Sequence, residues 1–156
     1  MTRTVTTTQT VTTTSAATSA CAGGQLSGTF AEAPGGGGAG QIEYILTLTN
    51  TSSTKCTISG LPTAVLLNAS GTALPTNVTG NPISPLVVLA TGASAHATAR
   101  FSPDVPGTGD SQSGMCQPKA YTLRVTPRGG GTVDAPIKPP TSVCERGTLD
   151  FSVFAG

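Results

Sequence analysis

The chain has no tryptophan, one histidine, four phenylalanines and two tyrosines. That scarcity leaves little material for base-stacking platforms or for aromatic shelves that hold sugars. Charge is sparse too. Lys, Arg, Asp and Glu make up 10% of the 156 residues, against ~25% in an ordinary soluble protein, and the net charge is +1. Arg100, Lys119, Arg124, Arg128, Lys138 and Arg146 are interspersed with Asp104, Asp110, Asp134, Glu145 and Asp150. No basic stripe emerges to hold a polyphosphate backbone, so no nucleic-acid partner is expected. Long apolar runs are also missing. The longest, residues 86–90, falls far short of the ~20 residues of a membrane span. A surface with so little charge must be built from Thr, Ser, Asn and Gly, a composition common on extracellular β-domains.

Four cysteines are present, Cys21, Cys56, Cys116 and Cys144. None forms a C-x-x-C, and only His96 could complete a zinc site, so a structural metal is not expected. An even number at wide spacing fits two disulfides and an oxidising compartment. Sequence alone allows three pairings. Cys21–Cys56 with Cys116–Cys144 is favoured, because each pair closes a moderate loop within one half of the chain.

Residues 1–20 are almost entirely Thr, Ser and Ala. Such a segment cannot bury enough apolar surface to offset chain entropy, and it reads as a disordered stalk carrying a domain over residues 21–156. No charged segment followed by an apolar one precedes it. A signal peptide or membrane anchor is therefore expected upstream of Met1, and it is the one membrane connection foreseen. Ser19-Ala20-Cys21 has the form of a lipobox end, but Thr18 stands where Leu is usual. A disulfide role for Cys21 fits better.

Beyond Cys21 the pattern is strand, turn, strand. In residues 41–50, Ile42, Tyr44, Leu46 and Leu48 share one face. In residues 94–101, Ala95, Ala97, Ala99 and Phe101 face opposite Ser94, His96, Thr98 and Arg100. In residues 120–126, Tyr121, Leu123 and Val125 are expected inward. Shorter strands are expected over 25–30, 55–58 and 64–67, near Leu74, over 86–89 as a buried run, and at Leu149, Phe151 and Val153. Residues 132–137 read as an edge strand limited by Pro136. Residues 76–85 and 103–114 read as long loops. No segment has sustained helical periodicity. The expected fold is all-β, an immunoglobulin-like antiparallel β-sandwich with two disulfides.

Several stretches, in order, resemble a secreted actinobacterial family known as domain of unknown function 4232. They are Cys21; Ala39-Gly40-Gln41; Leu46-Thr47-Leu48-Thr49-Asn50-Thr51-Ser52; Cys56-Thr57-Ile58-Ser59-Gly60-Leu61-Pro62; and Val65-Leu66-Leu67-Asn68-Ala69-Ser70-Gly71. Later come Leu89-Ala90-Thr91-Gly92-Ala93-Ser94-Ala95, Cys116-Gln117-Pro118, Leu123-Arg124-Val125-Thr126-Pro127 and Cys144. Leu61 stands where the family often carries an aromatic residue. The resemblance implies an exported or lipid-anchored envelope protein with an immunoglobulin-like sandwich, and it implies no activity.

Each constellation that could carry chemistry has a plainer reading. Gly109-Asp110-Ser111-Gln112-Ser113-Gly114 is similar to the nucleophile loop of chymotrypsin-like proteases, with His96 as base and Asp104 as orienter. Only fifteen positions separate His96 from Ser111, whereas that fold draws its triad from two barrels, and a solvated loop explains the motif. His96 alternates onto a polar strand face, as a surface histidine would. Asp104 and Asp110 lack a D-x-D-x-D-G calcium pattern. Glu145, Asp134 and Asp150 have no spacing that joins two of them. Asn50-Thr51-Ser52, Asn68-Ala69-Ser70 and Asn77-Val78-Thr79 match glycosylation sequons that a Thr/Ser-rich chain produces by chance. Lys55 with Asn50 or Asn68 is raw material for an isopeptide crosslink, which a disulfide-stapled domain does not require.

No catalytic, cofactor or metal-binding residue is therefore assigned, and the chain is not expected to be an enzyme. The expected role is an extracytoplasmic binding or interaction module on a stalk, facing another protein or a cell-wall component. Residues 76–85 and 103–114 are the expected contact loops. The alternatives are a structural envelope spacer or adhesin, and a hydrolase built on His96 and Ser111.

Overall fold

The computed structural model describes residues 18–156 except 36, 39, 84 and 113; most of the Thr/Ser-rich stalk segment thus lies outside the described residues. Ten strands are seen among the described residues: β1 (Leu26–Glu32), β2 (Ile42–Asn50), β3 (Cys56–Ile58), β4 (Thr63–Leu67), β5 (Asn77–Gly80), β6 (Val87–Leu89), β7 (Ser94–Phe101), β8 (Ala120–Thr126), β9 (Val133–Thr141) and β10 (Thr148–Phe151). Successive side chains of a strand point to opposite faces, so an alternating sequence becomes alternating burial. Along β2, Tyr44, Leu46, Leu48 and Asn50 are buried and the residues between them are not. Along β7 the same holds for Ala95, Ala97, Ala99 and Phe101.

Eight strands form one sheet in the order β4-β8-β9-β1-β2-β7-β10-β5, and β3 pairs with β6 separately. Pairing is antiparallel except for β1 with β9 and β5 with β10. The two ends of the large sheet approach each other. Leu74 N–H donates to the Leu66 carbonyl at 2.8 Å, and Leu67 bridges Ala73. The result is all-β and stapled by two disulfides, but it is a nearly closed, barrel-like sheet, which corrects the expectation of an immunoglobulin-like sandwich.

The reason lies in β9. Val133 to Pro136 and Thr141 pair with β8, and Ile137 and Lys138 pair with β1. One strand therefore carries both halves of the molecule into a continuous ladder. Pro136, opposite Thr122, borders the irregular stretch of the β8–β9 ladder, where a missing N–H does little harm. β9 is interior rather than the edge strand expected from that proline.

Three local expectations also change. Tyr121 is 44% exposed, while Ala120 is buried at 1%, because a register shift between Ala120 and Thr122 reverses the alternation at the start of β8. The segment expected as a loop at 76–85 contains β5, which takes its backbone partners from β10. Residues 86–89 are not a buried run: Leu86 and Val88 are exposed, and only Leu89 is buried.

The core is organised by aromatic rings on four adjoining strands. Phe30 and Phe101 each lie 5.2 Å from Tyr44, centroid to centroid, and Phe151 lies 6.3 Å from Phe30. The Tyr44 hydroxyl donates to the Pro139 carbonyl at 2.7 Å, so a ring in the interior keeps its polar end satisfied. Burial, with Glu32 nearby, pushes the Tyr44 phenol up from its ordinary value.

The other buried polar anchor is Asn50, fully inaccessible at 0%. Its Nδ2 donates to the carbonyls of Thr54 and Leu89, each at 2.9 Å. Its Oδ1 accepts from the Ser52 N–H at 2.9 Å and the Ser52 hydroxyl at 2.7 Å. Both donors and both acceptor sites of the amide are therefore used. Its main chain pairs with the Gly92–Ala93 turn. One side chain thus ties the end of β2 to the turn before β3 and to the end of β6.

Disulfides join Cys21 to Cys56 and Cys116 to Cys144, closing separations of 35 and 28 residues. Cys21 reaches Cys56 because the chain before it runs beside β3: Ala20 bridges Thr57, and Thr57 N–H donates to the Ser19 carbonyl at 3.0 Å. Two outcomes are expected from equilibrium denaturation. Replacing both cysteines of either pair with alanine lowers stability by up to about 3.5–4 kcal/mol, from the loop entropy regained by the unfolded chain. Asn50→Ala strands the Thr54 and Leu89 carbonyls and costs about 2–3 kcal/mol, whereas Thr51→Ala next door stays within about 0.5 kcal/mol.

Candidate functional site

The histidine and serine singled out from the sequence occupy different neighbourhoods. His96 sits mid-strand in β7, exposed, with its Nδ1 3.1 Å from the Thr47 hydroxyl and its main chain paired to Ala155. Ser111 lies in a broad open depression with Pro75, Asp110, Met115, Cys116 and Arg146. Neither His96 nor Asp104 lines that depression. Asp134 is held by Arg124 through contacts of 2.8 and 3.1 Å, and Asp150 accepts from the Thr79 hydroxyl on β5. Those two carboxylates sit on β9 and β10, with β1, β2 and β7 between them.

Asp110 is the most constrained of the acidic groups. Its carboxylate accepts from Gly107 N–H at 2.7 Å, Arg146 N–H at 2.9 Å and Glu145 N–H at 2.5 Å. Glu145 and Arg146 have φ of 56° and 57°, so with Gly147 at 78° they make a left-handed turn. For side-chain-bearing residues that conformation costs on the order of 1 kcal/mol each. A Cβ at position 147 would lie 1.9 Å from the Pro75 carbonyl oxygen, so only glycine fits there. Asp110 offsets the strain by collecting the N–H groups that the turn points outward, as an anion does in a backbone nest. Three donors aimed at one carboxylate are the opposite polarity from a calcium site. Cys116 and Cys144 have sulfurs close to this carboxylate, but they are bonded to each other and offer no thiolate. Above all the Gly107 N–H, with those of Arg146 and Glu145, holds the Asp110 carboxyl below the usual carboxylate range.

The asparagines of the sequons, two of them also crosslink candidates, have structural employment. Asn50 is inaccessible to a glycosyl donor, and its amide is fully engaged. Asn68 Oδ1 accepts from the N–H groups of Ser70 and Thr72, closing the turn after β4. Asn77 Nδ2 donates to the Thr148 hydroxyl, locking β5 to β10.

The feature with the shape of a ligand site lies elsewhere. A half-enclosed cavity of ≈ 210 Å³ opens between β3, the start of β4 and the end of β8. Leu48, Val125 and Phe154 line it from the core, and Ile58, Leu61 and Pro62 line it from the β3–β4 connection. Arg128 is the one charged residue among the described residues lining it. Its Nε donates to the Ser59 carbonyl at 3.2 Å. The guanidinium lies across Gly60, where a Cβ would sit 2.3 Å from the terminal nitrogen. Glycine at that position, with φ of 78°, therefore allows both the turn and the close approach of the cation.

Sequence reasoning did not find this site. Arg128 reads as one of several scattered bases. The lining residues come from positions 48, 57–59, 61–63, 125–128 and 154, which only the fold brings together. Ser59-Gly60-Leu61-Pro62 marks a turn and gives no sign of the hollow beneath it.

A family model described as "Domain of unknown function (DUF4232)" matches residues 21–154. No curated protein and no solved structure matches the chain.

The Asp110 nest sets a pH dependence. A carboxyl whose pKa is depressed on folding contributes stability that is fully present above its unfolded value of about 3.9 and is lost as pH falls through the lower folded value. Acid unfolding of Asp110→Asn should therefore be less steep below pH ~4 than that of the parent. At neutral pH the variant should melt at lower temperature, with faster amide exchange at Glu145 and Arg146. An unchanged acid profile would show that the nest is not maintained in solution.

Proposed function

The chain belongs to the DUF4232 family, and from that premise we propose that it is a non-enzymatic binding module of the cell envelope. In this reading it works in an extracytoplasmic compartment and offers the cavity beneath Arg128 to a ligand. Two disulfides among four cysteines suit an oxidising environment. No helix among the described residues is long and apolar enough to cross a membrane. Attachment to an actinobacterial envelope would accordingly run through a lipid or peptide anchor upstream of the domain.

The observation that carries the binding reading is the cavity itself. It reaches Leu48 and Phe154, which are otherwise sealed in the core at 1% and 3% exposure. Concave, mostly apolar sites with a few polar groups are where small ligands are held. A rigid, disulfide-braced sheet presents such a hollow without a costly rearrangement. The non-enzymatic reading is supported by the separate employment of the reactive groups: His96 with Thr47, Asp110 with backbone N–H groups, and Asp134 with Arg124.

A fragment screen followed by NMR chemical-shift mapping tests this. Hits are expected to perturb the amides of Ile58, Leu61 and Val125, and Leu61→Trp, which fills the hollow, should abolish those shifts. Shifts confined to residues 76–85 or 103–114, or no shifts at all, would count against the cavity as the binding site.

A further inference from the structure

We infer that the cavity takes a small monocarboxylate, its apolar body inside and its carboxylate against the Arg128 guanidinium. This rests on the reading of the cavity as a binding site and adds the chemistry of the occupant. Three observations carry it.

The first is the wall. Leu48, Ile58, Leu61, Val125 and Phe154 supply its apolar part, with one serine and three threonines also among the lining residues, so the enclosed part of a ligand is chiefly apolar. The second is size. A dry cavity of about 150 Å³ accepts benzene, and ≈ 210 Å³ suits one ring or an aliphatic chain of roughly six to nine carbons by the same scale.

The third is charge. Among the described residues the ion pairs join Arg100 to Glu43 and Arg124 to Asp134, and no carboxylate pairs with Arg128. No acidic residue among the described residues lines the cavity. Arg128 is held in place at the rim by the Ser59 carbonyl, which neutralises none of its charge. A planar guanidinium matches a carboxylate or a phosphate through parallel N–H donors. A single cation suits a monoanion; a phosphate dianion would call for a second positive group, and an ammonium ligand would be repelled.

The test is a calorimetric or NMR titration of the full chain, at neutral pH and low salt, with three ligands of one length: heptanoate, heptanamide and heptylamine. Heptanoate should bind about tenfold tighter than heptanamide, as a charge-assisted pair at a partly exposed rim implies, and heptylamine weakest. R128Q should bring heptanoate down to the level of heptanamide, while R128K should retain part of the preference. L61W should remove binding of all three. Melting curves of the variants establish that each is folded before titration. If heptanamide or heptylamine binds as tightly as heptanoate, the carboxylate inference fails and the cavity remains a binding site. If none binds the parent chain, both the inference and the reading beneath it fail.

Discussion

A buried amide holds the upper part of this molecule together. Asn50 has no access to water, and every hydrogen-bonding position of its side chain is used. Three segments meet at it: the end of β2, the turn leading into β3, and the carbonyl that ends β6. The β3–β6 pair lies outside the large sheet and shares no ladder with it. Its position is set by this amide together with the Cys21–Cys56 bridge, the backbone bonds of Thr57 to Ser19 and Cys21 and of Asn50 to the Gly92–Ala93 turn, and the burial of Cys56, Ile58 and Leu89. A buried polar group is costly unless satisfied, which makes a fully satisfied one a specific anchor rather than a general adhesive.

The same constraint explains where the hollow lies. Where β3 leaves its pairing and turns through Ser59, Gly60 and Leu61 into β4, the chain passes from the small sheet to the large one. The two layers do not close completely there, and Leu48, Val125 and Phe154 are left lining a gap. Arg128 crosses the mouth from the β8–β9 turn. The stretches that carry the family resemblance, Thr57 to Pro62 and Val125 to Pro127, are among the segments that line it. Cavity, turn and cation are thus consequences of one junction between sheets.

The Asp110 nest shows the opposite use of backbone polarity at another edge of the molecule. There a strained left-handed turn, the Cys116–Cys144 bridge and the loop through Gly107 are fastened by a carboxylate of this chain rather than by a ligand. Asp110, which read as part of a nucleophile loop, is accordingly part of a brace. His96, on the polar face of β7, belongs to the cross-strand pairing with Thr47.

What the sequence determined by itself was whatever depends on neighbours two residues apart. Alternation of apolar residues in β2 and β7 set which side chains enter the core, because successive residues of a strand face opposite ways. Sparse charge, absent helical periodicity and four wide-spaced cysteines placed the chain among disulfide-stapled β-domains. Tertiary structure alone decided the rest. Whether β9 lies at an edge or joins two halves of a sheet depends on partners more than a hundred residues away in β1. The exposure of Tyr121 depends on a register shift against β9. The cavity draws on four separated stretches, and Arg128 becomes distinctive only once its position at that rim, without a counter-charge, is known. Local pattern encodes which face is apolar; it carries no information about which apolar faces will meet, or where their meeting leaves a space.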